Sequence, residues 1–339
     1  MKPLLLSLLL SIQISAALPG WPKQMQKIEV TSSADHTPQP ALFYAPADNG
    51  QPRPLLVGLH TWSGDYTQAV NGSTYAAWAI QNGWAFVYPN FRGPNHTPAA
   101  LGSDLAVQDV VDAVNHAKTS ARIDPQRIYL VGVSGGGHMA LLMAGRHPEI
   151  WAGVSAWCGI TDIAQWHRDH VKVGKLDKYA QNIEAALDGP PDSPKRSADA
   201  RQRSPLTWLA KASAVPLDIA AGLHDGRTGS VPYTHSLLAF NAVATDKLAP
   251  QAITDYYTSQ TLPKGWPAPE PDALYTHWPP VFRATSGNTR VTIFQGTHEI
   301  VYAPALNWLA QQRKGQPAVW KIDNPQPLPG GDQPTKSGL

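Results

Sequence analysis

The sequence predicts an α/β fold in which a mostly parallel, twisted sheet carries helices on both faces. Short apolar runs, often β-branched, alternate with longer amphipathic stretches, and this order is typical of parallel sheets. Several runs, such as residues 54–60, are apolar throughout, as expected for strands that are covered on both faces. In addition, residues 128–144 have the pattern of a strand, a sharp turn and a helix.

The predicted elements can be placed in chain order. Residues 27–30 and 41–44 are strand-like runs separated by polar, Pro-containing residues, and we expect them to form an antiparallel edge. Ser103 suits a helix N-cap, because the residues after it place Ala and Val on one helical face. Further strands are expected at 54–60, 84–88, 128–131, 153–156, 216–220 and 290–294, and helices at 75–81, 138–144, 236–243 and 303–312.

Residues 18–325 are predicted to form one α/β domain with two insertions. Residues 160–212 are polar and partly helical, and residues 246–285 are rich in Pro, Tyr and Trp. Long segments of this kind between strands usually lie over the edge of the sheet that carries a site. The last residues, 326–339, are rich in Pro and Gly, and we expect them to form a flexible tail.

Residues 1–17 have the features of an export signal. Lys2 provides the charged start, residues 4–14 are apolar, and small residues at 15–17 suit a signal peptidase. The apolar run is too short for a stable membrane span, and a buried N-terminal helix is the alternative interpretation. We therefore expect a secreted or periplasmic protein without a membrane span.

Length and composition bound the function classes. With 339 residues, of which 42% are hydrophobic, the chain can bury a large core. The formal net charge is +2, only 15% of the residues are charged and no Lys/Arg cluster occurs, which argues against a nucleic-acid partner. The single cysteine, Cys158, cannot form an internal disulfide, and its apolar neighbours indicate a buried structural thiol. Nothing in the sequence indicates an oligomeric state.

Residues 132–136, Gly-Val-Ser-Gly-Gly, place Ser134 at the apex of the predicted strand–turn–helix. Such a turn strains the serine backbone and lifts its hydroxyl clear of the sheet, and glycine on both sides avoids a clashing Cβ. The helix that follows directs its N-terminal amides at the reacting centre. Ser134 is therefore the predicted nucleophile, and a Gly-rich loop before a helix is the alternative.

A serine nucleophile needs a base to take its proton and an acid to orient that base. Asp225 and His298 each follow a predicted strand, so both lie at the same edge as Ser134, in the order serine, acid, histidine. We predict a triad of these three residues. His224 is the rival base and Glu299 the rival acid, and the structural alternatives are a turn-forming Asp and a surface His.

An acyl-transfer site also needs two backbone donors for the oxyanion. One donor is expected to be the amide of Gly135, directly after the nucleophile. The other should come from the loop after the strand at 54–60, where we favour the amide of Trp62 and keep Thr61 as the alternative. A purely structural interpretation is that this loop is only a turn and that Trp62 packs.

Six short motifs stand in a fixed order along the chain. They are 90–93 (Asn-Phe-Arg-Gly), 124–128 (Asp-Pro-Gln-Arg-Ile), 132–138 (Gly-Val-Ser-Gly-Gly-Gly-His), 203–205 (Arg-Ser-Pro), 222–225 (Gly-Leu-His-Asp) with Val231, and 296–298 (Gly-Thr-His). In this order they resemble the catalytic domain of the prolyl oligopeptidase family, within the α/β-hydrolase superfamily. The resemblance covers about residues 54–309, and it implies an α/β-hydrolase fold and a Ser-Asp-His triad at Ser134, Asp225 and His298.

The sequence departs from that family at three places. The peptidases of the family carry a β-propeller before the catalytic domain, for which this chain has no room. The family often has two glycines where this chain has Thr61 and Trp62. The loop from Asp225 to Val231 is longer than in the family, and residues 246–285 are an extra insertion before the histidine.

The resemblance and the export signal together predict a secreted serine hydrolase that forms an acyl-enzyme. Propeller-free relatives are often esterases, including ones that act on acylated plant polysaccharides, so we expect an ester hydrolase for acetylated or feruloylated carbohydrate or a related small ester. Tryptophans in the loops could stack on sugar or aromatic rings, although most tryptophans serve the core. Thr61, Trp157 and Trp278 are the candidate substrate-binding residues.

The alternative functions belong to other classes. A secreted serine peptidase of the prolyl oligopeptidase type would use the same chemistry, and Glu184, Asp162 and Asp169 are the acidic residues that could meet a free amino terminus. A non-catalytic binding module on the same fold is a further alternative. His167 and His170 have a spacing that metal sites use, but without a suitable third ligand nearby we expect neither a metal nor another cofactor.

Overall fold

One large sheet organises the fold. The computed structural model describes residues 18–330, and within that range nine strands form one sheet and two short strands form a separate hairpin. The strands are β1 (Gln26–Thr31), β2 (Pro38–Tyr44), β3 (Arg53–Leu59), β4 (Ala85–Pro89), β5 (Ile123–Val133), β6 (Gly153–Trp157), β7 (Val171–Lys172), β8 (Lys175–Leu176), β9 (Leu217–Gly222), β10 (Pro280–Ser286) and β11 (Thr289–Phe294). The α-helices are α1 (Ala69–Gln81), α2 (Asp104–Ser120), α3 (Gly135–Arg146), α4 (Ile163–Asp169), α5 (Lys178–Leu187), α6 (Pro194–Gln202), α7 (Thr234–Val243), α8 (Pro250–Ser259) and α9 (Tyr302–Gln311).

The sheet is parallel through its centre and antiparallel at its edges. Its strand order is β1-β2-β4-β3-β5-β6-β9-β11-β10. The strands from β4 to β11 run parallel, whereas β1, β2 and β10 pair antiparallel. The central strands β6 and β9 are buried at every residue, as expected where helices cover both faces. The predicted α/β fold class and the predicted antiparallel edge are confirmed.

Parallel pairing brings the C-terminal ends of the central strands to one edge. Leu59, Val133, Trp157, Gly222 and Phe294 are the last residues of β3, β5, β6, β9 and β11. The loops that follow these strands therefore meet at that edge, which is where ligands bind in open α/β sheets. Ser103 caps α2 as predicted, because its Oγ accepts a hydrogen bond from the amide of Ala106.

Packing extends α1 beyond the predicted helix. The sequence pattern predicts a start at residue 75, whereas α1 begins at Ala69 and includes Asn71 and Gly72. Both residues are buried, and a Cβ on Gly72 would clash with Trp21 and Tyr88. Close contact with these two rings stabilises a turn that helix propensity alone disfavours.

The second predicted insertion, residues 246–285, is partly a sheet element. It contains α8, and its end forms most of β10, which the sequence pattern did not indicate. β10 pairs with β11 from Pro280 to Ser286 with one register shift near its start. Proline is compatible with this position because it stands at the first residue of an edge strand.

In the first predicted insertion, residues 160–212, the helices form a cap with its own small core, whereas Leu209 and Ala212 near its end belong to the main core. The cap contains α4, α5, α6 and the hairpin β7–β8. Its buried apolar side chains pack on Trp62 and Val231, from the loops after β3 and β9, so the cap lies against the C-terminal edge of the sheet. The buried members of this cluster are Trp62, Leu101, Ile160, Ile163, Trp166, Ile183, Ala186, Leu187, Ala200 and Val231.

The two ends of the chain are described only in part. The predicted export signal, residues 1–17, and residues 331–339 of the predicted tail lie outside the described residues. Gln326, where the predicted tail begins, is tied to the side chain of Asn307 by two hydrogen bonds of 2.6 and 3.1 Å. Among residues 18–330, no helix combines the length and the apolar character that crossing a membrane would require.

Candidate active site

The turn between β5 and α3 holds Ser134 in a strained conformation. Its φ is 61° and its ψ is −122°, a combination that residues with a Cβ rarely adopt. A Cβ on Gly132 would clash with the backbone of Gly136, and a Cβ on Gly136 would lie 2.7 Å from the carbonyl oxygen of Leu59. Glycine at both positions is thus a steric requirement of this turn. The turn leaves Ser134 partly exposed at its apex.

The backbone amides of Gly135 and Trp62 lie close together beside Ser134. A Cβ on Gly135 would clash with the nitrogen of Trp62, so the loop after β3 touches the first turn of α3. Within residues 18–330, neither amide has a hydrogen-bond acceptor. Two unpaired N–H groups next to a nucleophile are the donors that a developing oxyanion requires.

The hydrogen bonds of Gln68 decide between Trp62 and Thr61, the two alternatives for the second oxyanion donor. Its Oε1 accepts a hydrogen bond from the amide of Thr61 at 2.9 Å, and its Nε2 donates to Thr61 Oγ1 at 2.8 Å. The Thr61 amide is therefore occupied, and Trp62 is the available donor on this loop. On the other side of the loop, the buried ring of His60 lies 2.9 Å from the carbonyl oxygen of Thr61. Burial lowers the pKa of His60, which favours the neutral ring.

Asp225 and His298 form a buried acid–base pair. Oδ2 of Asp225 lies 2.7 Å from Nδ1 of His298, and Oδ1 accepts hydrogen bonds from the amides of Gly226 and Val231 at 3.0 Å each. Asp225 is fully buried and His298 nearly so. With three hydrogen bonds on its two oxygens, the carboxylate is held in place and fixes the proton of the imidazole on Nδ1.

The other ring nitrogen of His298, Nε2, is the atom that a triad mechanism uses for proton transfer. Its hydrogen-bond partner in the described part of the chain is Oγ of Ser230, at 3.4 Å, and no hydrogen bond joins it to Oγ of Ser134 there. Catalytic hydrogen bonds are often long or poorly aligned before substrate binds. The structure thus presents Asp225 and His298 in contact after β9 and β11, and Ser134 after β5, which β6 separates from β9 at the same edge of the sheet.

Cys158 connects the elbow with the acid–base pair. The amide of Ser134 donates to the carbonyl of Trp157 at 2.9 Å, and Cys158 is the next residue. Its Sγ, a carboxylate oxygen of Asp225 and a ring nitrogen of His298 all lie within 4.8 Å of one another. Burial and the charge of Asp225 raise the pKa of the thiol, which therefore stays protonated. The prediction of a buried thiol is confirmed.

The rival base and the rival acid have other partners. The ring of His224 lies between the side-chain amides of Gln260 and Gln295, at 3.1 and 2.9 Å. Oε1 of Glu299 accepts a hydrogen bond from the amide of Thr297 at 2.8 Å. Neither side chain is engaged with Asp225 or with the elbow, so the geometry favours the predicted pair.

The candidate substrate-binding residues differ in exposure. Trp157 is fully buried, and its indole donates to Oγ of Ser155 and packs on Tyr275 and Phe294, so its core position contradicts the predicted substrate contact. A Trp at the end of a central strand meets helices on both faces, which explains its burial. Thr61 and Trp278 are half-buried and keep some accessible surface.

The charged residues of the cap pair with one another. Nε2 of His167 lies 2.8 Å from Oε1 of Glu184, and Nδ1 of His170 lies 2.6 Å from Oδ2 of Asp177. Both histidines are therefore engaged by carboxylates. The side chain of Asp162 caps α4.

Comparisons with curated proteins identify esterases and depolymerases as relatives. Feruloyl esterase B of Thermothelomyces thermophilus is 25% identical over 142 residues, which cover 39% of this chain and 48% of that protein. Feruloyl esterase B of Neurospora crassa is 30% identical over 114 residues, covering 31% of this chain and 39% of that protein. Poly(3-hydroxyalkanoate) depolymerase C of Paucimonas lemoignei is 28% identical over 118 residues, covering 31% and 28%. The chain thus spans less than half the length of these relatives.

Solved structures and the family profile agree on the fold. An acylaminoacyl peptidase in complex with Z-Gly-Gly-Phe-chloromethyl ketone has a TM-score of 0.51 and 19% identity, covering 65% of this chain and 34% of that chain. At this identity the likeness shows the fold alone. The profile of the prolyl oligopeptidase family matches residues 71–259, more than half of the chain. This chain therefore belongs to the prolyl oligopeptidase family, a family of serine hydrolases with the α/β-hydrolase fold.

Proposed function

We propose that the protein is a secreted serine hydrolase that cleaves carboxylic esters through an acyl-enzyme, acting on acetylated or feruloylated carbohydrate or a related small ester. The observation that carries this proposal is the buried Asp225–His298 pair, with 2.7 Å between Oδ2 and Nδ1, at the sheet edge that also holds the strained Ser134. A base fixed by an acid next to a serine elbow is the arrangement that acyl transfer to serine requires.

The mechanism assigns one role to each group. Ser134 attacks the acyl carbon while His298 Nε2 takes the hydroxyl proton. His298 then gives that proton to the leaving alcohol and, in the second half, removes a proton from the water that releases the acid. Asp225, which accepts a hydrogen bond from Nδ1, stabilises the imidazolium formed in both halves. No metal or cofactor takes part in these steps.

The amides of Gly135 and Trp62 bind the oxyanion of the tetrahedral intermediate. Both are unpaired within the described residues, and they lie close together beside the nucleophile. The negative charge develops at the N-terminus of α3, where the helix dipole favours it. Because the two donors are already fixed by the turn and by Gln68, little reorganisation is needed when the charge forms.

The ester specificity is supported by the relatives and by the lining of the cap. Curated relatives named feruloyl esterase B and poly(3-hydroxyalkanoate) depolymerase are ester hydrolases by name. Trp166 and the half-buried Tyr179 of the cap pack against Trp62, next to the proposed oxyanion donor. Trp62 and Trp166 are themselves buried, so the half-buried Tyr179 is the ring of this group with surface for an aromatic acyl group or a sugar.

The peptidase alternative lacks a free carboxylate among its candidate residues. Glu184 is hydrogen-bonded to His167, Asp162 caps α4, and Asp169 accepts a hydrogen bond from Gln165 at 2.8 Å. An aminopeptidase would need one of these groups to meet the substrate's ammonium. Their existing partners favour the ester hydrolase.

A substrate panel tests the proposal. Hydrolysis of aryl acetates, methyl ferulate and a soluble 3-hydroxybutyrate ester would be measured beside aminoacyl anilides, with Ser134→Ala as the control. The proposal predicts turnover of esters that the Ser134→Ala variant loses by several orders of magnitude. Turnover of the anilides with none of the esters would overturn the ester assignment.

We propose further that the protein is exported, on the basis of the charged, apolar and small-residue pattern of residues 1–17. Expression of the full-length chain in a bacterial host and N-terminal sequencing of the purified protein test this. We expect a mature chain that begins near residue 18 and is recovered outside the cytoplasm. An intact N-terminus in the cytoplasmic fraction would contradict export.

A further inference from the structure

Ser230 stands at the proton-transfer nitrogen of the candidate site. Its Oγ lies 3.4 Å from Nε2 of His298, and its side chain is partly exposed. It belongs to the loop from Asp225 to Val231. This loop therefore brings a second hydroxyl to the base, in addition to that of Ser134.

The backbone of Ser230 is held by two side chains of the cap. The indole Nε1 of Trp166 donates to the carbonyl oxygen of Ser230 at 2.9 Å, and Nε2 of His170 lies 2.8 Å from the same oxygen. His170 is oriented in turn by Asp177, at 2.6 Å from its Nδ1. Two buried donors on one carbonyl fix the position of this residue, although it lies on a glycine-containing loop.

The preceding residue brings the loop directly against the acid–base pair. A Cβ on Gly229 would clash with Oδ1 of Asp225 and would lie 2.6 Å from Cβ of His298. Oδ1 of Asp225 also accepts the amide of Val231, which closes the loop around the carboxylate. Close packing on one side and the cap donors on the other leave the Ser230 hydroxyl next to Nε2.

We propose that Ser230 is a further active-site residue, whose hydroxyl hydrogen-bonds Nε2 of His298 and stabilises the imidazolium form of the base. This inference rests on the proposed serine-hydrolase mechanism. A hydroxyl both donates and accepts, so it serves both states of the ring. In the resting site it donates to the unprotonated Nε2, and the Ser134 hydroxyl takes over that lone pair when the site closes on the substrate. After Nε2 takes the proton of Ser134, the Ser230 hydroxyl turns and accepts from the charged N–H, the stronger of the two hydrogen bonds.

The ionisable groups around His298 stay the same when the hydroxyl is removed. They are Asp225 on Nδ1, the Cys158 thiol beside it, the neighbouring Glu299 and, across the Ser230 carbonyl, His170. A Ser230→Ala change alters none of these charges. A shift in the titration of the base in this variant therefore reports the lost hydrogen bond itself.

The test is the rate at which a fluorophosphonate labels Ser134, measured from pH 5 to pH 9 on the full chain. This probe reports the reactivity of the serine without assuming a substrate. The variants are Ser230→Ala, Ser230→Thr, which keeps a hydroxyl, and Thr228→Ala. Thr228 is a matched control because it is an exposed hydroxyl residue of the same loop that bonds the carbonyl of His224 instead. Thermal unfolding of each variant checks that the fold is retained.

We expect Ser230→Ala to be labelled about fivefold more slowly than the wild type, the effect of one hydrogen bond. The pH midpoint of labelling should fall by about half a unit, because the protonated ring loses the stronger bond. Ser230→Thr and Thr228→Ala should stay within about twofold of the wild type. Equal rates and equal midpoints in Ser230→Ala and the wild type would overturn this inference alone. A wild type that is not labelled at Ser134 would instead contradict the proposed function.

Discussion

Ser134, Asp225 and His298 differ in how firmly their neighbours hold them. Asp225 is fixed by two amides and by Nδ1 of His298, and Ser134 is fixed through its backbone by the strained turn. The serine–imidazole hydrogen bond is the contact that remains to be made, and substrate closure of the site is the step that would align it. The acid–base pair is thus preorganised, and the proposed nucleophile has a strained backbone.

The oxyanion loop yields a prediction for Gln68. A Gln68→Leu change removes both hydrogen bonds to Thr61 and frees the amide next to the Trp62 donor. We expect kcat for an aryl acetate to fall about tenfold, less than the full loss of an oxyanion donor, with the fold retained. Gln251→Leu is the control, because Gln251 has an exposed amide that donates to Asp255 on the same helix. An unchanged kcat in Gln68→Leu would show that this side chain does not position the donor.

His138 predicts how stability depends on pH. Burial lowers the pKa of this histidine to about 4, with the charge of Arg203 acting in the same direction, whereas an unfolded histidine titrates near 6.5. The unfolded state therefore binds one more proton than the folded state between about pH 6.5 and pH 4. The stability that neutral His138 contributes is thus present above this window and is lost as the pH falls through it. The loss amounts to about 3 kcal/mol in total.

Urea unfolding between pH 7 and pH 4.5 measures this effect. His138→Gln stays neutral and keeps a donor for the carbonyl of Arg203, to which Nε2 of His138 now donates at 2.8 Å. We expect a shallower fall of the free energy of unfolding with pH in the variant. His60, whose pKa burial also lowers, leaves part of the slope in place. Parallel pH curves for wild type and variant would contradict the assignment.

At the scale of elements, the cap is a separately packed unit on the sheet edge. Its apolar cluster is distinct from the main core, and its polar donors Trp166 and His170 reach the loop after β9. One of the contacts between the cap and the rest of the molecule is therefore with the same loop that carries Asp225. This arrangement predicts that weakening the cap core affects the site before it affects the sheet.

Two large-to-small substitutions, one in each core, test whether the cap and the sheet are separate units. Ile183→Ala opens a cavity in the cap cluster, and Leu141→Ala opens one in the main core; each change should cost about 2–5 kcal/mol in its own unit. We expect Ile183→Ala to raise hydrogen exchange mainly in α4, α5 and α6 and to lower the proposed ester hydrolysis. Leu141→Ala should instead lower the midpoint of global unfolding. Uniform exchange across cap and sheet in Ile183→Ala would refute a separate unit.

The elements that the sequence predicted best are those whose pattern is set by burial on both faces. The central strands are mainly apolar and buried, and their alternation with helices predicted the parallel sheet. The start of α1 could not be predicted, because Asn71 and Gly72 are stabilised by packing on Trp21 and Tyr88. β10 was not predicted for a different reason. A half-buried edge strand that begins at a proline has only a weak alternation of apolar and polar residues.

At the scale of the whole molecule, topology determines which distant residues meet. Asp225 and His298 are 73 positions apart in sequence, yet both follow neighbouring parallel strands, β9 and β11, so strand order alone brings them together. This is why the pair could be predicted from the sequence. The position of Ser230 could not be predicted, because it depends on hydrogen-bond donors of the cap that lie about 60 residues away in sequence. The same dependence on tertiary packing explains why Trp157 is a core residue.

The family match covers only part of the candidate site. The matched residues, 71–259, include Ser134 and Asp225 but end before His298 and begin after Trp62. The base and the second oxyanion donor therefore rest on the structure of this chain. Their agreement with the matched part is what makes a complete serine-hydrolase site at one sheet edge the central claim of this account.

The most direct measurement of that claim is the site of acylation during the first turnover. The protein would be mixed with an aryl acetate, quenched in acid within the burst, and mapped by peptide mass spectrometry, with His298→Ala and Asp225→Asn alongside. We expect one acetyl group per chain on Ser134, and acylation slowed by orders of magnitude in both variants. An acetyl group on a different residue, or acylation of Ser134 at an undiminished rate without His298, would contradict it.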